Sequence, residues 1–142
     1  MILLVEDNPA DEALTLRAFK KINPSIQISV VRDGAEAVDF IFCKGAHKDR
    51  DPRDLPQLIL MDMNLPKLSG IEVLRRIRAN EHTQLLPVIM LTSSREEQDL
   101  IESYRSGANS YVRKPIDYNE FLEAVRQLSL YWLILNEPPP HT

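Results

Sequence analysis

The chain has 142 residues, 44% of them hydrophobic, with a formal net charge of −4 and a pI near 5.4. That length suits one domain with a core of its own, and the acidic balance argues against nucleic acid as a direct partner, because phosphate backbones need a basic surface. The single Cys43 excludes an internal disulfide, no apolar run approaches the ~20 residues of a membrane span, and no basic leader precedes the first apolar run; the chain reads as cytoplasmic, with no membrane contact.

Short apolar runs alternate with helical patterns along the whole chain. Ile2 to Val5 is the first strand and ends in Glu6-Asp7. Asn8 caps a helix with Pro9 at its first position; Leu14, Ala18 and Ile22 give it one apolar face, and Asn23-Pro24 ends it. Ile26 to Val31 is a second strand. Asp33-Gly34 opens a second helix carrying Ala37, Val38, Ile41 and Phe42, with Cys43 as a small filler near its end. Lys44 to Pro56 is polar and aperiodic, an exposed loop. Leu58 to Met61, apolar throughout, is a strand buried on both faces and runs into Asp62. After Leu65-Pro66, Ser69-Gly70 opens a third helix with Ile71, Leu74 and Ile77 inward and Arg75, Arg76 and Arg78 toward water. Pro87 to Leu91 is the fourth strand and leads into Thr92. Leu100, Ile101 and Tyr104 form a thin stripe on a fourth helix that Gly107 terminates. Ser110 to Val112 is a short fifth strand, followed by Lys114-Pro115. Asp117 caps a fifth helix lined by Phe121, Val125, Leu128 and Trp132.

Five β-then-α units predict an α/β fold, a flavodoxin-like (βα)5 parallel sheet of order 2-1-3-4-5 with helices on both faces. In that order strands one and three are neighbours, and ligands bind beyond their carboxyl ends at the switch point. Glu6, Asp7 and Asp62 therefore converge there. Like charges so close raise one another's pKa, and a cation relieves them. Hard oxygen donors in a watery site suit Mg2+: Asp7 direct, Glu6 through water, Asp62, and the backbone carbonyl of Asn64. Asp62, ending the central strand, is the candidate nucleophile for a phosphoryl group. Lys114 supplies a point charge and Thr92 a hydroxyl for the phosphoryl oxygens. Thr92 could instead cap the next helix, a role Ser93 or Ser94 fills equally well. Lys114-Pro115 is a candidate cis peptide.

As an ordered set, the acidic pair, Asp62 with Leu65-Pro66, Ser69-Gly70, Thr92-Ser93 and Lys114-Pro115 resemble the receiver domains of two-component response regulators over residues 2 to 130. The resemblance implies that Asp62 accepts a phosphoryl group from a sensor histidine kinase with Mg2+, that Thr92 and Lys114 read it, and that Tyr111 is the switch aromatic. The first acid is Glu6 where Asp also occurs in the family. The tail, Tyr131 to Asn136 followed by Pro138-Pro139-Pro140, and the long loop are similar to single-domain regulators partnered with phytochromes. Residues 1–130 are then the receiver and 131–142 a C-terminal extension, with no room for an output domain after residue 142.

The alternative is a small haloacid-dehalogenase-like phosphatase. That class carries a second aspartate two residues past its nucleophile, whereas Asn64 and Pro9 stand two past Asp62 and Asp7. A degenerate scaffold is disfavoured by the intact Asp62, Thr92 and Lys114. His47 and His82 read as solvated loop histidines and His141 as part of a disordered terminal tail. Tyr131 to Leu135 are five consecutive apolar residues, too many for one helix face, which predicts a homodimer through Tyr104, Tyr111, Leu128, Tyr131, Trp132 and Leu135.

Overall fold

The computed structural model describes residues 1–140; the expectation for His141 lies outside them. β1 (Ile2–Val5), β2 (Ile28–Val31), β3 (Leu58–Met61), β4 (Val88–Thr92) and β5 (Ser110–Arg113) alternate with α1 (Pro9–Ile22), α2 (Gly34–Ile41), α3 (Gly70–Ala79), α4 (Glu97–Arg105) and α5 (Tyr118–Ser129). The sheet is parallel throughout, in the predicted order β2-β1-β3-β4-β5.

Strand side chains alternate between two cores because their period is two. Leu3, Val5, Ile59, Met61, Val88 and Met90 face α2 and α3, where Val38, Ile41, Leu74 and Ile77 meet them. Ile2, Leu4, Leu58, Leu60, Ile89 and Leu91 face α1 and α5, against Phe19, Phe121 and Val125. Burial on both faces is why these runs carry no polar residue until they end. α1 starts as its sequence dictates: the Asn8 side chain accepts from the amides of Ala10 and Asp11, and Pro9 needs no amide partner.

Several elements differ from the sequence expectation. β2 begins at Ile28, because the Ile26 amide is spent on a turn to Asn23 O (3.1 Å). Cys43 lies past the end of α2 with φ +55, a left-handed position, not inside the helix. The loop after it is closed rather than free: a single 3-10 turn spans Gly45–His47, and the Arg50 guanidinium sits 3.8 Å from the Phe40 ring centroid while donating to the Phe40 carbonyl. His47 is half-buried, edge-on to Phe40 with Nε2 3.3 Å from Glu36 Oε2, so it is not a solvated histidine. Arg78 turns back instead of facing water. Its Nε donates to Gly107 O (2.9 Å), Nη1 to Gln84 O and Leu86 O (2.9 and 2.7 Å), and Nη2 to Asn109 Oδ1 (2.8 Å).

The Lys114–Pro115 peptide is trans, against the cis expectation. An X–Pro bond still favours trans by about 0.5–1 kcal/mol, and Lys114 reaches its partners without the other isomer. Beyond α5 the helix widens into one π-helical turn, Leu130–Leu135. Trp132 and Leu133 lean on the α1/α5 core while Tyr131, Ile134 and Leu135 stay exposed, Ile134 at 73%. Leu128 is buried in its own domain's core, so it is withdrawn from the expected dimer surface.

Gly70 shows how tightly α3 is seated below the strand ends. A Cβ there would lie 2.3 Å from the Asp62 carbonyl oxygen and 3.0 Å from Met63 Cα, both backbone. Gly70→Ala is expected to destabilise the fold by about 2 kcal/mol through overpacking; urea unfolding reads it, and an unchanged midpoint would show that α3 shifts freely.

Candidate functional site

The register builds the site. Val5 pairs with Met61, so the next residue of each strand, Glu6 and Asp62, emerges side by side at the sheet's carboxyl end. The Asp62 amide donates to Val5 O (3.1 Å) and the Glu6 amide to Val31 O (3.0 Å), holding both backbones as the strands end. Carboxylate oxygens of Glu6, Asp7 and Asp62 lie within 4.8 Å of one another. Glu6 is buried, Asp62 nearly so and Asp7 open to water. Such a graded, all-oxygen set fits a hard divalent cation that keeps part of its water. The amide of exposed Asn64 donates to Asp62 Oδ1 (3.3 Å), which keeps that backbone segment beside the carboxylate.

Lys114 enters from β5. Its side chain is only 8% exposed, and Nζ donates to Glu6 Oε1, to Asp11 Oδ2 (3.0 Å) and to Asp62 Oδ2 (3.2 Å). Burial alone would lower the ammonium's pKa; the hydrogen bond to Glu6 and the charges of Asp62 and Glu6 outweigh it and raise the value. Burial likewise raises the Glu6 pKa, against the lowering effect of Lys114. The structure therefore gathers Glu6, Asp7, Asp62 and Lys114 into one cluster.

Thr92 ends β4 fully buried, with Oγ1 accepting from the Ser94 amide (3.2 Å). Tyr111 is half-buried, and its hydroxyl donates to Ser94 O (3.2 Å). Ser94 Oγ in turn donates to Asp99 Oδ2 on α4. Thr92, Tyr111 and α4 are thus joined through Ser94. α4 itself turns only Ser103 inward; Ile101 and Tyr104 are exposed. Ser103 Oγ donates to Asp99 O (2.8 Å) and touches Met63 Sδ (3.6 Å), the residue after Asp62.

Asp11, Asp99 and Ser103 were invisible as site residues from motif alone. Asp11 could have been found by counting: it stands four residues after Asp7, in the first turn of a helix whose start the Asn8-Pro9 pair already places. Asp99 and Ser103 carried no such signal.

A doubly wound sheet with an acid cluster and a buried lysine at its switch point is suited to handling a phosphoryl group beside a divalent cation, and the family match below makes it a signalling domain rather than a conventional enzyme. Comparison with known proteins makes this specific. The chain belongs to the response regulator receiver domain family, whose model matches residues 2–126. It is 37% identical over 139 residues to the probable methanogenesis regulatory protein FilR2 of Methanothrix harundinacea, covering 98% of this chain and 87% of that one. It is 37% identical over 133 residues to response regulator Rcp1 of Synechocystis, covering 94% and 88%. Among solved structures, the phosphorylated cyanobacterial phytochrome response regulator RcpA superposes with a TM-score of 0.90 at 33% identity, covering 98% and 97%. Rcp1 has been solved in an Mn2+-bound form, TM-score 0.87. Receiver domains bind a divalent metal and take part in signalling with a histidine kinase. Among the described residues, no helix is long and apolar enough to cross a membrane.

Proposed function

We propose that this chain is a phosphorelay receiver that accepts a phosphoryl group on Asp62 from a sensor histidine kinase of the phytochrome type, in the cytoplasm. The observation that carries the reading is the convergence of Glu6, Asp7, Asp62 and Lys114 on one small volume. The phytochrome partner rests on the likeness to RcpA.

A carboxylate oxygen of Asp62 attacks the phosphorus of a phosphohistidine. The new P–O bond forms as the P–N bond breaks, the imidazole leaves with the electron pair and takes a proton from water, and an acyl phosphate remains. Mg2+ held by Glu6, Asp7, Asp62 and the Asn64 carbonyl would neutralise charge on the phosphoryl oxygens. Lys114 turns a donor from a carboxylate to a phosphoryl oxygen. Thr92 offers its hydroxyl to another once it parts from the Ser94 amide. That movement disturbs the Ser94 carbonyl on which the Tyr111 hydroxyl rests, and so biases Tyr111 and α4 between two arrangements. Residues 1–130 form the receiver. The homodimer surface is the extension from residue 131, with Tyr131 and Leu135 exposed and Trp132 half-buried, together with exposed Tyr104 and half-buried Tyr111, since exposed apolar side chains of this kind mark interfaces.

Incubation with Mg2+ and acetyl phosphate, read by intact mass, is expected to add one phosphoryl group to the wild type and none to Asp62→Asn. Equal gain in both would overturn the assignment.

A further inference from the structure

We infer that Asp11 sets how strongly the site holds a phosphoryl group, by competing with it for the Lys114 ammonium. The inference rests on the acceptor reading above.

An ammonium has three donors. All three of Lys114's are committed, one each to Glu6, Asp11 and Asp62. Two of those acceptors belong to the acid set that a cation would occupy; Asp11 does not. When Asp62 carries a phosphoryl group, a donor must turn to the new oxygens, and Asp11 is the partner with no other charge to satisfy it.

Its backbone cannot retreat. The Asp11 amide is tied to the Asn8 cap (3.2 Å) and its carbonyl accepts from Thr15 Oγ1 (2.8 Å). With the backbone held, the carboxylate remains within reach of Nζ, now 3.0 Å away, as a negative charge beside the ammonium that must also serve the phosphoryl group. It both claims a donor and repels the incoming charge. Asp11 is thus a positioning residue for Lys114 that holds phosphoryl affinity down and leaves the phosphorylated state short of saturation.

Sign separates this role from structural support. Removing a negative charge strengthens binding of an anion and, if anything, weakens binding of a cation. A distorted site weakens both. Asp11→Asn keeps an acceptor oxygen in place and removes only the charge; Asp11→Ala removes both; Asp11→Glu restores the charge. The side chain is 37% exposed, so these variants leave the core untouched.

The test is titration of wild type and variants with beryllofluoride, a phosphoryl analogue, at saturating Mg2+, beside separate titration with Mg2+ alone. Asp11→Asn and Asp11→Ala are expected to bind beryllofluoride about fivefold tighter, with Mg2+ affinity equal or weaker. Asp11→Glu is expected to return to the wild-type value. If wild type binds the analogue and Asp11→Asn only matches it, or if both affinities fall together, the inference fails alone. If wild type does not bind it, or Asp62→Asn binds equally well, the acceptor reading fails and takes the inference with it.

Discussion

Lys114→Met is expected to lower the stability of the metal-free protein by about 3 kcal/mol at neutral pH, because removing one partner of a buried ion set leaves the others uncompensated. The set is unusual in its arithmetic: Glu6, Asp11 and Asp62 share one ammonium, and Asp7 adds a further charge within 4.8 Å of Glu6 and Asp62. With the ammonium gone, Glu6 has burial and like charge against it and only the Asn8 amide (3.3 Å) for it. Its folded pKa, already raised by burial, rises further. An acid whose folded pKa exceeds its unfolded value favours the fold when protonated. That contribution is complete below the ordinary value of 4.5 and is lost as pH climbs through the folded pKa. The penalty of the substitution therefore shrinks on acidification. Urea unfolding in chelator at two pH values reads this, and a penalty that grew toward acid would contradict the charge assignment. Adding Mg2+ should restore part of the loss, since a cation at a hundred times its Kd contributes about 2.7 kcal/mol.

Arg78→Met carries the second large effect, expected at about 3 kcal/mol, for a different reason. The guanidinium ties the carbonyls of Gly107, Gln84 and Leu86 and the side chain of Asn109, so one residue of α3 fastens the entry to β4 and the turn between α4 and β5. Asn109 Oδ1 also accepts from the Val88 amide (2.8 Å), placing β4's first residue in the same network. Hydrogen bonds to charged groups contribute ~1.5–3 kcal/mol each but not additively. Arg78→Lys is expected to recover less than half, because an ammonium's three donors on one atom cannot meet four separated acceptors and lack the rigid planar fork of the guanidinium. Equal midpoints for Arg78→Met and wild type in urea would overturn the role.

Strand order, both core layers and the meeting of Glu6, Asp7 and Asp62 were legible because period and position alone decide them. A strand buried on both faces must be apolar until it ends, so the first acid marks both the end of the strand and the site. Arg78 was misread by the same rule. Its charge suggested water, although it stands four residues after Leu74 and seven after Ile71, on the flank of the inward face of α3, from where a long side chain can turn and claim carbonyls that no local pattern announces. His47 escaped for a similar reason: its partners Glu36 and Phe40 lie on α2, and His47 meets them because the loop that follows folds back onto that helix, which spacing does not reveal. Asp11 went unread because its importance depends on Lys114, over a hundred residues away in sequence. Leu128 was assigned to an interface although its own helix period already points it at the core.

α4 buries only one small side chain, Ser103, whose hydroxyl rests on the thioether of Met63 next to Asp62; its other ties are polar, Asp99 to Ser94 and Glu102 to Arg75. A helix moored so lightly can be re-aimed without tearing open any hydrophobic layer. Chemistry at one aspartate then has a compliant lever at its shoulder, while the four better-seated helices stay put as the frame against which that lever swings.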